Sequence, residues 1–204
     1  CPRYDPALRL ALTAALLSAC RFHFDAVGDD TVVEHDWQSV HTSGDGTCAI
    51  TIDGELWCWG LGDSGNLGNG QRILQPMARV GSDTDWKSVV VTEAVTCGLR
   101  DDDSLWCWGA NELGVISGEP PGTVVIGPAR IAGTWHQLAL FDKHACGIDG
   151  AGSLRCWGNN DLGVLGTGST AKEVPPTTIG TATWLSIATS RYTTCGIQID
   201  NSLW

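Results

Sequence analysis

From Trp37 onward, hydrophobic and polar positions alternate over short runs, and glycine-rich or acidic turns separate the runs. Alternation at that length, with turn residues between, predicts β-strands rather than helices. In the first stretch it predicts strands near 37–42, 47–52, 55–59 and 77–80. The third of these, Glu55-Leu-Trp-Cys-Trp59, is hydrophobic on both sides, with Leu56 and Cys58 on one and Trp57 and Trp59 on the other. Such a strand is covered on both faces.

The pattern then repeats. Cys48 and Cys58 are followed by Cys97 and Cys107, by Cys146 and Cys156, and by Cys195, each step being 49 residues. Tryptophan keeps the same interval in three classes. The first is Trp37, Trp86, Trp135 and Trp184; the second is Trp57, Trp106 and Trp204, with Arg155 in its third slot; the third is Trp59, Trp108 and Trp157. All ten tryptophans fall in these classes. Units of this length, rich in strands and glycine turns, predict an all-β fold of four-stranded β-propeller blades. The repeats span 37–85, 86–134, 135–183 and 184–204, about three and a half blades. Because the chain starts at Cys1 and stops inside the pattern, it is expected to be a piece of a longer protein.

One stretch, Gly62-Asp-Ser-Gly-Asn66, imitates the nucleophile loop of trypsin-like proteases. Its register removes that reading. The equivalents of Ser64 are Leu113 and Leu162, each followed, like Ser64, by a glycine (Gly65, Gly114, Gly163). Ser64 is therefore a turn position, with no histidine and buried aspartate placed to activate it.

Turn chemistry explains the cysteine spacing. A three-residue loop at 52–54, 101–103, 150–152 and 199–201 puts Gly54, Asp103, Gly152 and Asn201 in the left-handed position, which these residue types tolerate. Cys48 then stands opposite Cys58 in a non-hydrogen-bonded pair, where side chains approach most closely. Disulfides Cys48–Cys58, Cys97–Cys107 and Cys146–Cys156 are expected, with the partner of Cys195 at position 205. The competing zinc reading lacks the short Cys-x-x-Cys spacing of zinc sites.

Composition narrows the function. The chain has 204 residues, 43% hydrophobic and 17% charged, with 26 glycines and a formal net charge of −11. It can bury a core. Its acidity repels phosphate backbones and sets nucleic acid aside as a partner. No metal triad, carboxylate pair or phosphate loop stands out, so neither a cofactor nor enzymatic activity is expected, and Asp101-Asp-Asp103 reads as a hairpin tip. At the N-terminus, Arg3 and Arg9 flank an apolar run from Leu10 to Ala19 that is too short to span a bilayer but suits a signal peptide. Leu17-Ser-Ala-Cys20 resembles the bacterial lipobox. Residues 1–20 are then a lipoprotein-type signal with Cys20 as lipidation site and membrane anchor, and 21–36 an acidic tether. The alternative is a buried helix with an ordinary cysteine.

The motifs Trp37-x-x-Val40, Thr47-Cys-Ala-Ile-x-x-Asp-Gly54, Leu56-Trp-Cys-Trp-Gly60 and Gly65-x-Leu-Gly68 resemble the regulator of chromosome condensation repeat, in the cysteine-containing form of exported bacterial proteins. The resemblance covers 37–204 and implies a propeller of seven blades when complete. Two family positions differ. The glycine five residues before the first cysteine is Ser43, Thr92, Phe141 or Ser190, and the histidine two before it survives only as His144.

The resemblance implies a disc face that binds another protein. The expected function is a non-catalytic, exported, lipid-anchored propeller that binds an unidentified protein of the cell envelope, at the outer membrane or cell surface. The alternatives are a glycan- or cell-wall-binding module and a regulator resembling the family's guanine-nucleotide exchange factor. Loops from first to second strand and from third to fourth emerge on one side of the disc. The first set offers Asp45, Glu93, Asp142, Lys143, His144, Arg191 and Tyr192 as candidate binding residues. Arg191 and Tyr192 lead, since such residues anchor interfaces more often than acidic ones.

Overall fold

The computed structural model describes residues 35–141, 143–170 and 173–204. The expected export signal, Cys20 and residues 21–34 of the expected tether lie outside the described residues, as does Asp142. The first blade consists of β1 (Trp37–Thr42), β2 (Gly46–Thr51), β3 (Leu56–Gly60) and β4 (Gln75–Arg79), antiparallel neighbours in chain order. The second repeats this with β5 (Trp86–Val91), β6 (Val95–Arg100), β7 (Leu105–Asn111) and β8 (Thr123–Ile131). The third has β9 (Trp135–Phe141), β10 (His144–Asp149) and β11 (Ser153–Asn159), followed by β12 (Glu173–Thr189) and β13 (Thr194–Gln198).

The strands of the first blade lie within about two residues of their expected places. One feature differs from expectation. β12 is a single strand of 17 residues that pairs with β11 through Thr183 and with β13 from Trp184 onward. It serves as the last strand of one repeat and the first of the next. The first blade has Gly81-Ser-Asp-Thr-Asp85 at this junction and the second Ala132-Gly-Thr134. The third has Gly180-Thr-Ala-Thr183, where Gly180 is left-handed at φ 64° and the register with β11 shifts before pairing resumes at Thr183. His35 and Asp36 also belong to the first blade rather than to a tether. The Asp36 carbonyl accepts from Ile52 N at 2.9 Å, and the His35 ring lies 4.6 Å from that of Trp57.

The hairpins carry the expected turn. Gly54 N donates to the Thr51 carbonyl at 2.9 Å and Thr51 N to the Glu55 carbonyl at 3.0 Å. The third loop residue is left-handed in all four hairpins: Gly54 at φ 77°, Asp103 at 60°, Gly152 at 79° and Asn201 at 66°. Asp103 and Asn201 are the non-glycine residues with positive φ among the described residues. Cys48 pairs with Cys58, Cys97 with Cys107 and Cys146 with Cys156, all three as disulfides with Cα atoms 4.1 Å apart. Cys195 is an exposed free cysteine. In its hairpin, Trp204 and Gly196 exchange both backbone hydrogen bonds, the relation Trp57 has to Ala49.

Each blade presents a cysteine–leucine face to the next blade and a tryptophan face to the one before. Cys48, Ile50, Leu56, Leu67 and Val80 of the first blade pack on Trp86, Val89 and Trp108 of the second. Cys97, Leu99, Leu105 and Ile116 pack in turn on Trp135, Leu140 and Trp157 of the third, and Cys146, Ile148 and Leu154 on Ile187. Trp86, Trp108, Trp135 and Trp157 are among the largest fully buried side chains. The indole N–H of Trp108 donates to the Asn66 carbonyl at 2.9 Å and that of Trp157 to the Val115 carbonyl at 2.7 Å. Each bond fastens a blade to the glycine-rich loop of its predecessor, so burial of the ring leaves no orphan donor.

The first blade departs at its tryptophan face, where Trp37 is 40% and Val40 62% exposed. No preceding blade among the described residues covers this face. A second cause is local. A Cβ built at Gly98 or Gly147 would come within 2.6 Å of the Trp86 ring or 2.5 Å of the Trp135 ring, so those rings lie flat on a glycine. The first blade has Ala49 at that position.

Candidate functional site

The turn between the first two strands of each of the three blades is held against the residue that follows its Cys-Trp-Gly motif. The carbonyls of Asp45, Ala94 and Lys143 accept from the backbone N–H of Leu61 at 2.8 Å, Ala110 at 2.9 Å and Asn159 at 2.7 Å. The approach is so close that a Cβ at Gly60 would stand 2.5 Å from the Asp45 carbonyl oxygen, and one at Gly158 2.6 Å from that of Lys143. The glycine of each Cys-Trp-Gly motif is required there.

The glycine-rich loops on the same side are fixed from within. Asn111 and Asn160 are fully buried. Asn160 Oδ1 accepts from Leu165 N at 3.0 Å while its Nδ2 donates to the Ser169 carbonyl at 2.8 Å. Asn111 does the same with Ile116 N at 2.8 Å and the Glu119 carbonyl at 2.9 Å. Ser64 lies in the corresponding loop of the first blade, where Gly65 N donates to the Gly62 carbonyl at 2.8 Å in a tight turn. Among the described residues no histidine or carboxylate is hydrogen-bonded to Ser64, and no three His, Cys, Asp or Glu side chains are placed to share a metal ion.

Turns and glycine-rich loops of adjacent blades form two clefts. Between the second and third blades lies a cavity of ≈ 140 Å³ lined by Glu93, Glu112, Ala94, Leu113, Val115 and Lys143. Between the third and fourth lies a larger one of ≈ 370 Å³. Lys143 and Arg191 bring positive charge to it, and Phe141, Leu162, Val164 and Tyr192 line its apolar parts. Asn159 and Asp161 complete its lining, and His144, only 3% exposed, lies deepest. His144 Nε2 stands 3.4 Å from Thr194 Oγ1. Burial holds the His144 imidazole below its ordinary value, so the ring is neutral at pH 7. The Arg191 guanidinium sits 5.2 Å from the centroid of the Tyr192 ring.

The larger cleft thus unites Lys143, His144, Arg191 and Tyr192 from the sequence-derived set. Glu93 shares the smaller one with Lys143. Asp45 is exposed on the first blade and lines neither cleft. Sequence reasoning missed Glu112, Leu113, Asp161 and Leu162. These belong to the loops from third to fourth strand, which the strand alternation had already placed on this side.

Stacked four-stranded blades with these inter-blade contacts are the architecture of a β-propeller. Residues 53–98 match the Regulator of chromosome condensation (RCC1) repeat. Among solved structures, the chain is similar to human WBSCR16 at 20% identity and a TM-score of 0.73, covering 83% of this chain and 47% of that one. It is similar to Prp20p of Saccharomyces cerevisiae at 18% identity and a TM-score of 0.73, over 85% and 46% of the two chains. It also resembles the ectodomain of the Physcomitrella patens receptor kinase CR4 at 20% identity and a TM-score of 0.54, over 87% and 43%. The chain therefore spans less than half the length of each. No curated protein sequence matches it.

Proposed function

We propose that the chain is part of a non-catalytic, exported propeller that binds another protein through the face carrying the two clefts. The observation that carries this reading is the convergence of Lys143, Arg191 and Tyr192 on one inter-blade cavity beside exposed Leu162. Cations and aromatics grouped with apolar surface are the usual anchors of protein interfaces. Prp20p, of similar fold, binds Gsp1p and histones. The three disulfides support folding in an oxidising compartment. The apolar run ending at Cys20 supports export and lipid anchoring in the cell envelope. Sugar stacking is disfavoured because Trp86, Trp108, Trp135 and Trp157 are buried.

The test is crosslinking of the chain, displayed at the cell surface, to envelope proteins, with captured partners identified by mass spectrometry. A variant with Asp45, Glu93, Lys143, Arg191 and Tyr192 all changed to alanine should lose the partner. Capture indifferent to those five changes would refute the assignment of this face.

A further inference from the structure

We infer that the cleft between the third and fourth blades seats an acidic side chain and an adjoining apolar one from an extended segment of a partner protein. The inference rests on the reading of this face as protein-binding and specifies the chemistry of one site on it. Its first support is charge. The chain carries a formal net charge of −11, yet Lys143 and Arg191 reach the same cavity from neighbouring blades. Four other cations of the blades are neutralised: Arg79 by Glu55 at 2.9 Å, Lys87 by Asp103 at 3.1 Å, Arg100 by Asp83 and Arg155 by Asp149 at 2.8 Å, whereas Arg72 and Arg130 line neither cleft. Among the described residues neither Lys143 nor Arg191 forms an ion pair. The one carboxylate known to line the cavity, that of Asp161, accepts from Asn159 Nδ2 at 3.3 Å.

The second support is the apolar surface beside those cations. Leu162 is 68% and Tyr192 60% exposed, and Phe141 and Val164 continue the lining inward. Stacking against Tyr192 restricts the Arg191 guanidinium and presents its planar fork, the geometry that matches a carboxylate. His144, neutral and buried, adds no third charge. A polyanion would find the cations too, but it would also meet Asp161 and, one cleft away, Glu93 and Glu112. A single carboxylate next to an apolar side chain suits two cations set in an apolar lining.

A random-peptide display library selected on the whole chain tests this directly. The expected outcome is enrichment of peptides with Asp or Glu beside an aromatic or aliphatic residue. Their affinity should fall about tenfold in the Lys143→Ala/Arg191→Ala variant and decline with added salt. A Lys143→Glu/Arg191→Glu variant should instead select basic residues. Intact disulfides and an unchanged melting temperature would show that both variants fold. Enriched peptides without a carboxylate that are nonetheless lost in the alanine variant would overturn the charge inference and leave the binding face standing. Peptides that bind wild type, both double variants and Tyr192→Ala alike would overturn both.

Discussion

The two clefts are built by the same backbone one repeat apart and differ in what fills it. Glu112 and Leu113 of one correspond to Asp161 and Leu162 of the other, and both loops hang on a buried asparagine. The contrast arises at a few positions. Where the second blade has Ala94 and Val95, the third has Lys143 and His144, and the fourth has Arg191 and Tyr192 where the second has Glu93 and Ala94. The smaller cavity is acidic with one shared lysine; the larger is cationic. A repeat can therefore keep its hydrogen bonds and cysteine pairs constant while the side chains in its turns change the sign of a site.

The largest effect should come from the inter-blade junction that anchors the acidic cleft. Trp157 is fully buried and its N–H holds the carbonyl of Val115, a residue of the acidic cleft. Trp157→Ala should cost about 3–5 kcal/mol in urea unfolding. Trp59→Ala, at a half-buried ring, should cost clearly less. Equal losses would break the idea that the inter-blade junction, rather than the blade, holds these loops.

The first glycine-rich loop provides a milder comparison. Asn66 is 1% exposed and neither of its side-chain polar atoms has a hydrogen-bond partner among the described residues, whereas the later loops have Val115 and Val164 at its position. An unsatisfied buried amide costs about 1–3 kcal/mol. Asn66→Val should raise the melting temperature, and a decrease would mean that the amide is satisfied in solution.

The smallest effect concerns the residue that most distinguishes the two clefts internally. His144 is buried where the second blade has Val95. Burial places its folded value below 6.5, so the unfolded chain binds the proton more readily. Its contribution to stability is complete above about 6.5 and declines as pH falls toward the folded value. His144→Val should flatten the pH dependence of the melting temperature just below 6.5, while leaving it unchanged at pH 8. A profile identical to wild type would show that the imidazole is solvated.

Much of this was legible in the chain itself. The left-handed hairpin residues, the cysteine partners and the alternation of cysteine and tryptophan faces follow from period and turn chemistry, because a strand pair joined by a three-residue loop has one register. The long β12 was not legible, since nothing local marks where one repeat hands its strand to the next. Nor could periodicity tell that Trp86 is buried and Trp37 half-exposed. The two occupy the same slot, and only the neighbouring blade and the residue beneath the ring separate them.

The candidate site divides in the same way. Sequence alone determined which side of the disc carries the turns and which turn residues vary, since strand direction alternates and loops tolerate change. Only the tertiary structure decided that Lys143, Arg191, Tyr192 and Leu162 share one cavity while Asp45 stands apart. The cavity forms between blades, and which side chains meet there depends on how one sheet stacks on the next.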